Sequence, residues 1–393
     1  MIDKKHYFDW AATAPQDSDI LHEALDYSLE HWGNPSSIHL AGSDAHKALD
    51  DTRAKCAATL GVKPEQLYFT SGGTEGDHIP LLAMLTRPQK GSVAISALEH
   101  GALREMAKMM TNCGWRVITI PSDKDGFITP EAVIHSLAED TVYVTVMAVN
   151  NETGAIQPIY EIADALEQHC AGKRKPFFHV DCVQAAGKIP LDLRHPGIDS
   201  ASFSAHKICG PRGIGLLYLA KEINPFLRGG GQEKNIRSGT ENIFGARAFA
   251  LCLEKYFITK KNETATKRFE EQSAYTSNFI RQLRSIPQCS IIPHGRNTDE
   301  LRAETFSPWV VQAAFHGIPG QVMVRALSSQ GFFISTGSAC SAGKQSRPIL
   351  DAMQVSADEK ETAVRFSFGP TTTSDDMEEL FKAVQNISAQ FNK

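Results

Sequence analysis

"TVYVTVMAV", residues 141–149, is a near-continuous apolar run with no charged side chain and only two threonines and a tyrosine as polar groups. A strand with one wet face alternates polar and apolar residues, whereas a strand covered on both faces has no need to. The run has strand length and is far short of the ~20 residues that cross a bilayer as a helix. It therefore predicts an interior strand of a sheet with helices on both sides. Working outward, "QLYFTSG" (66–72), "GSVAIS" (91–96), "WRVITI" (115–120), "FFHVD" (177–181), "SASFSA" (200–205) and "GIGLLYLA" (213–220) repeat the pattern. Helical stretches separate them from about residue 17 to about residue 255, so the expected class is α/β with a mostly parallel sheet. After about residue 256 the pattern changes. "ETATKRFEEQSAYTSNFIRQLRSI" (263–286) predicts a long polar helix with Phe269, Phe279, Ile280 and Leu283 on one buried face. The expected division is a large domain over 17–255 and a smaller α+β domain made of 1–16 and 256–393.

A chain of 393 residues is too long for one minimal core, which agrees with two domains. No internal repeat, low-complexity tract or long charge run is visible. The formal net charge is −5, with 42% apolar and 22% charged residues, a balance that gives no general attraction to nucleic acid or to anionic membrane. The N-terminus "MIDKKHYFDW" lacks the apolar stretch of a signal peptide, so the default address is the cytoplasm. Eight cysteines, at 56, 113, 170, 182, 209, 252, 289 and 340, form no C-x-x-C pair and no disulfide or zinc framework. Reduced thiols in a reducing compartment fit that scatter.

In open α/β sheets ligands collect at the carboxyl ends of strands, and several strand ends here carry polar, glycine-rich sequence. "TSGGTEGDH" (70–78) leads from a strand into a helix; it either makes an anion site from free backbone N–H groups or simply caps the helix with Thr74. The spacing is not that of a P-loop. "FFHVDCVQAAGK" (177–188) ends a strand on Asp181, with Gln184 three residues on; the carboxylate suits a metal, a ribose or a cationic ring nitrogen, and His179 lies on the same side of the strand. "SFSAHKICGPRGIG" (202–215) places Ser204, His206 and Lys207 between a strand and a Gly/Pro turn. A lysine there either holds a Schiff base, its pKa lowered by burial and nearby positive charge, or stands on the surface of a hairpin. His100, Asn150 and Asn151 follow further strand ends, and a lone histidine is more often structural than catalytic. Arg365, in the apolar "AVRFSFGP" (363–370), needs an anionic partner, either an internal carboxylate or a substrate carboxylate held bidentately. "STGSACSAGK" (335–344) sets Cys340 among very small residues, as a tight turn or as a reactive thiol that must be reached and must move.

Taken together, these segments resemble the cysteine desulfurases of the NifS/IscS type, within the class V aminotransferase group of pyridoxal 5'-phosphate (PLP) enzymes. The motifs run in order along nearly the whole chain: "YFDWAATAP" (7–15), "GNPSSIHLAG" (33–42), "TSGGTE" (70–75), "EH" (99–100), "NNETG" (150–154), "HVDCVQAAGK" (179–188), "SFSAHKICGPRGIG" (202–215), "RGGGQEKNIRSGTEN" (228–242), "GSACSAG" (337–343) and "VRFSFG" (364–369). The resemblance implies PLP fold type I and gives Lys207 the role of Schiff-base lysine. It pairs Asp181 with the protonated pyridine nitrogen, stacks His100 on the ring as a proton-handling group, and sets Gln184 and Asn151 near the ring's phenolic oxygen. Gly73, Thr74, Ser204 and His206 would hold the phosphate, with Thr240 reaching the phosphate of a neighbouring subunit in a homodimer. Arg365, with Asn34, would bind the substrate carboxylate, and Cys340 would take the sulfur of L-cysteine as a persulfide. The implied partners are L-cysteine and a sulfur acceptor, either an iron–sulfur scaffold or a tRNA thiolation carrier, with no nucleic acid, membrane or metal. Two departures stand out: Trp10 in "DWAAT" occupies a usual asparagine, and Gly76-Asp77-His78 follows Glu75. The rival readings are a selenocysteine lyase or another class V PLP aminotransferase or epimerase, and, outside the class, an α/β nucleotide-binding or scaffold protein without PLP.

Overall fold

The computed structural model describes residues 4–297, 305–337 and 347–391. The seven expected strands are β1 (Leu67–Thr70), β2 (Ser92–Ser96), β3 (Arg116–Ile120), β4 (Thr141–Thr145), β5 (Phe177–Asp181), β6 (Ser200–Ser204) and β7 (Gly215–Leu219). They form one sheet in the order β1-β7-β6-β5-β4-β2-β3. β6, β5, β4, β2 and β3 are parallel, and β7 alone runs antiparallel to both its neighbours. The reversal has a local cause. Residues 205–214 join β6 to β7 through Gly210, Pro211 and Gly213, the last at φ +81°, and a parallel return needs a longer crossover.

The lack of alternation in the strands has the expected basis. Val144 enters one core while Tyr143 beside it enters another on the opposite face, and Ala94 is likewise flanked by Val93 and Ile95. Each face is buried against helices, so both sets of side chains are apolar. β4 stops at Thr145, before the apolar run ends. Beyond it Ala148 N–H still donates to the Asp181 carbonyl at 2.8 Å, and the chain folds back so that Gln157 N–H reaches Ala148 O.

A second sheet, antiparallel in the order β10-β9-β8, comprises β8 (Cys289–Ile292), β9 (Val310–Phe315) and β10 (Ala363–Ser367). The long polar helix spans Glu263–Leu283, and its Phe279, Ile280 and Leu283 join Val311, Phe366 and Phe368 in one core. Phe269 departs from the expected common face. It lies nearer the other end of a 21-residue helix and packs against the first core. The N-terminus belongs to this second assembly: Tyr7 bridges Phe333, Asp9 bridges Ser367, and Phe8 is wholly buried in its core. Burying one such phenylalanine stabilises the fold by about 1.5–3 kcal/mol.

The edge strand β1 is covered by the segment 228–242. Glu233 accepts from Arg53 Nη1 at 2.7 Å, from Arg53 Nη2 at 2.8 Å and from the Phe69 N–H of β1 at 2.8 Å. Glu233, Lys234 and Asn235 all have left-handed backbones, φ 45°, 53° and 66°. Such residues cost on the order of 1–3 kcal/mol each and persist where surrounding contacts over-determine them; the buried Arg53–Glu233 pair does so here. Among the described residues no helix is long and apolar enough to cross a membrane.

Candidate active site

The carboxyl ends of β5 and β6, the start of the helix Gly73–Ala83 and the N-terminal segment converge on Lys207. This residue ends a short turn, Ala205–Lys207, directly after β6. The hairpin reading placed it in the right connection, but the side chain points inward: Nζ donates to the Ala11 carbonyl at 2.6 Å and the Ala12 carbonyl at 2.8 Å. Burial first, then the Arg365 guanidinium, pulls the amine down to about 8, against the opposing influence of Asp181 and Asp9. Trp10, the departure from asparagine, anchors the segment that supplies these carbonyls. It is buried against Gly369, where a Cβ would lie 2.1 Å from the indole ring.

Beside the lysine is an anion cradle. The helix Gly73–Ala83 begins after Gly72 with no side-chain cap, so Thr74, its second residue, is not the cap and the first-turn N–H groups stay available. Gly73 is there because a Cβ would stand 2.4 Å from Val183 Cγ2, and Gly72 lies against Ser204 Oγ. Ser204 is buried at the end of β6. His206 approaches Thr13 Oγ1 with Nδ1 at 3.2 Å, and burial, followed by Lys207 and Lys188, pushes its imidazole down to about 4. Thr240 is exposed in a loop fastened to this helix by the Arg237–Glu75 pair at 3.2 Å.

Below the cradle lies a group of buried acids. Asp181 Oδ1 accepts from Val183 N–H at 2.8 Å, and burial, reinforced by Asp77, raises its carboxyl to about 8. Asp77, in the second departure, comes down from the helix to meet Ser202 Oγ and His179 Nε2, the latter at 3.2 Å; burial brings it up to about 7. His179 is thereby committed to Asp77 and, through Nδ1, to Ser200 Oγ at 2.7 Å, which accounts for it without a metal. Glu99 is fully buried, accepting from Ser96 Oγ at 2.7 Å and Met147 N–H at 2.8 Å while Oε2 has no partner among the described residues, and burial raises it to about 8. Among the described residues no three His, Cys, Asp or Glu side chains converge as a metal set.

His100 heads the helix Gly101–Asn112. Its Nδ1 accepts from Ala102 N–H at 3.2 Å, which leaves the proton of the neutral ring on Nε2. Desolvation by the groups packed around the ring, then Lys207 and Arg104, pushes the imidazole down to about 4, although the residue keeps an exposed side. Asn150 is the structural member of its pair, its Oδ1 accepting from Glu152 N–H and Thr153 N–H, both at 3.0 Å. Asn151 contributes its carbonyl to Arg365 Nη1 at 2.9 Å and leaves its side chain free of hydrogen bonds among the described residues. Of the two partners open to Arg365, the structure supplies the internal one: Nη2 meets Asp9 Oδ1 at 2.7 Å. Asn34 does not join it, since its Oδ1 accepts from Ser36 N–H at 2.9 Å in a turn of its own. Cys340 lies outside the described residues.

Sequence reasoning noted Asp77 only as a departure and passed over two further buried groups, Glu99 and Lys188. Each stood inside a quoted motif, so position within the motifs was the available signal. Lys188 Nζ donates to Gln184 Oε1, and Gln184 Nε2 donates to Ala11 O at 2.9 Å. As a host for PLP the arrangement fits: an uncapped helix start for a phosphate, a buried carboxyl whose raised pKa a cationic ring nitrogen would bring back down, and a lysine drawn to near-neutral pKa between them.

The Aminotransferase class-V family model matches residues 6–380. A NifS/IcsS protein homolog of Lactobacillus delbrueckii subsp. bulgaricus is 36% identical over 98% of each chain. The cysteine desulfurase IscS of Methanosarcina thermophila is 33% identical over 98% of this chain and 92% of its own. Among solved structures, a NifS-like protein superposes with a TM-score of 0.87 at 31% identity, covering 98% of this chain and all of the other. SspA in complex with cysteine gives 0.77 at 26% identity over 94% of this chain.

Proposed function

The chain belongs to the class-V aminotransferase family, with the IscS cysteine desulfurases among its relatives, and from that premise we propose that it is a PLP-dependent cysteine desulfurase. The observation that carries the reading is the inward-facing Lys207 amine, lowered to about 8, set between the uncapped helix start and the Asp181 carboxyl. When bound, PLP supplies an electron sink that loosens the bonds at the substrate's Cα and Cβ.

The chain's own groups do the rest. Lys207 takes and returns the Cα proton, for which an amine titrating near neutrality is suited. Asp181 would hold the ring nitrogen, Gly73, Thr74, Ser204 and His206 would hold the phosphate, and Gln184 and Asn151 would meet the phenolic oxygen. His100 keeps a neutral imidazole with a proton on Nε2. Arg365, drawn from Asp9, takes the substrate carboxylate, and Asn34 would have to leave its turn with Ser36 to join it. The Cys340 thiolate then forms an S–S bond to the sulfur of L-cysteine while the Cβ–S bond breaks. Of the two thiol protons one ends on Cβ, giving L-alanine, and the other stays with the persulfide, so no outside oxidant is needed.

We place the large unit at 17–255 and the unit carrying Cys340 at 1–16 with 256–393; a second core built from Phe8 and residues beyond 278 supports that division, while Ile292, Ala314, Ile349 and Leu350 of the smaller unit pack into the first core. A homodimer is supported by the exposed Thr240 and by Trp32, Ile38 and Leu40, three large apolar side chains 75%, 101% and 91% exposed within residues 32–40. The persulfide passes to an acceptor protein for iron–sulfur clusters or tRNA thiolation, in the cytoplasm.

The test is to assay the purified protein for alanine and sulfide from L-cysteine, and for alanine and selenide from L-selenocysteine. The expected result is a yellow protein that prefers L-cysteine and whose Cys340→Ala variant stays yellow but forms no persulfide. A colourless protein, a clear preference for selenocysteine, or persulfide that survives in Cys340→Ala each sinks the assignment.

A further inference from the structure

Lys188 closes the motif "HVDCVQAAGK" and no step above uses it. It is only 7% exposed, and its side chain makes a single hydrogen bond among the described residues, to Gln184 Oε1. A primary amide has one acceptor end and one donor end. With Oε1 committed to the ammonium, Nε2 is turned toward Ala11 O at 2.9 Å, and that same carbonyl receives Lys207 Nζ at 2.6 Å. Lys188, Gln184, Ala11 and Lys207 therefore form one continuous hydrogen-bonded chain between two lysines. Its far end is fixed too, because Trp309 Nε1–H donates to Lys188 O at 2.7 Å.

The groups around the Lys188 amine make its presence costly. Lys207 and Arg365 are cations, Cys209 is a buried thiol, and Arg268 and Tyr256 line the same cavity. None of these is a carboxylate. Burying an ammonium among cations is unfavourable, and an apolar side chain of equal volume would fill the space at less cost. Burial, then Lys207 and Arg365, brings the amine down to about 7, the cost seen from the side of the proton. What the amine does that an apolar residue cannot is fix the direction of the Gln184 amide.

We propose that Lys188 is a positioning residue that, together with the Ala11 carbonyl, fixes the Gln184 carboxamide with Oε1 on the ammonium and Nε2 on Ala11 O, so that only the remaining N–H of that amide would be left to meet the phenolic oxygen of a bound ring. This rests on the reading of the site as a PLP site. Without the ammonium the Ala11 carbonyl alone would orient the amide, and each flip would turn Oε1 toward an electron-rich oxygen and lose that discrimination.

The test uses parent, Lys188→Met, Lys188→Gln, Gln184→Leu and the Lys188→Met/Gln184→Leu double variant. Two readings are taken: the PLP dissociation constant, by titrating apoprotein, and the pH midpoint of the bound cofactor's absorbance in the holoenzyme. Lys188→Met is expected to weaken PLP binding about tenfold and Gln184→Leu about tenfold, with the double variant no weaker than Gln184→Leu alone, because the two act through one amide. Loss of the neighbouring cation should also move the absorbance midpoint upward by about one unit in Lys188→Met, whereas Lys188→Gln, which keeps a donor for Oε1, should hold PLP closer to the parent value. Additive losses approaching a hundredfold in the double variant, or parent-like affinity and midpoint in Lys188→Met, overturn the proposal. If Lys188→Met does not fold, Lys188→Gln decides alone: an affinity as poor as that of Gln184→Leu overturns it. A parent protein that does not bind PLP at all removes the reading of the site, and this inference with it.

Discussion

Lys207 should titrate far below an ordinary lysine even before any cofactor is bound. Its amine is brought from 10.5 to about 8 by burial and by Arg365. At pH 8 roughly half of it is neutral, against about 0.3% of a lysine in a free peptide, so its reactivity toward an acylating reagent should be higher by on the order of a hundredfold. The measurement is competitive trace acylation of the apoprotein from pH 6 to 11, with the Lys207 peptide quantified by mass spectrometry against a lysine peptide in the same tube. In Arg365→Leu, the second contribution is removed and the midpoint should climb. Stability offers an independent check. The folded pKa lies below the unfolded one, so the native apoprotein binds fewer protons between pH 8 and pH 10.5. The stability associated with this amine is therefore present above about pH 10.5 and is lost as pH falls through 8, a difference of about 3 kcal/mol by that shift. Parent minus Lys207→Met should show that slope with the opposing titrations of other groups cancelled. A Lys207 midpoint near 10.5, or one unmoved by Arg365→Leu, would falsify the account of how the lysine is prepared.

Two further substitutions probe the supports of the site. Glu233→Gln leaves the buried Arg53 guanidinium facing a neutral amide and should cost about 3–5 kcal/mol in urea unfolding; a loss under about 1 kcal/mol would mean that the pair does not hold segment 228–242 on β1. Gly73→Leu sets a Cβ where Val183 Cγ2 stands 2.4 Å away. It should raise the PLP dissociation constant at least about tenfold, with partial recovery in the Gly73→Leu/Val183→Ala pair, and unchanged binding would show that this close approach does not shape the phosphate cradle.

The first sheet was legible because burial on both faces removes the polar alternation that otherwise marks a strand, leaving runs such as 141–149 that no surface element imitates. The second sheet was only partly legible: β10 stood out as a strand-like run, but β8 is four residues long and β9 begins directly after Trp309, so neither carries its own boundary. The Lys207, Asp181 and His100 positions were legible as polar residues at strand ends. What they are bonded to was not. The pairing of Arg365 with Asp9 and the descent of Asp77 onto His179 join residues far apart in the chain, and local sequence says nothing of such meetings. Phe269 fell on the right helical face, but a helix this long spans two cores, and periodicity reports the face and not which core receives it. Lys188 and Glu99 looked like ordinary charged residues because their burial is created entirely by tertiary packing.

The seat of the N-terminal segment in the second core fixes when the protein can begin to work. Asp9 and Arg365 are separated by 356 positions. At roughly 5–20 residues per second a ribosome needs about 20–70 s to travel between them. Through that interval Phe8 has no core to enter, and Ala11 and Ala12 are not yet held where Lys207 can find their carbonyls. The large sheet can be complete while Lys207 is still without its acceptors. Cofactor capture is thus an event of the finished chain, and a truncation that spares every strand of the first sheet but removes β10 should yield a folded body that stays colourless.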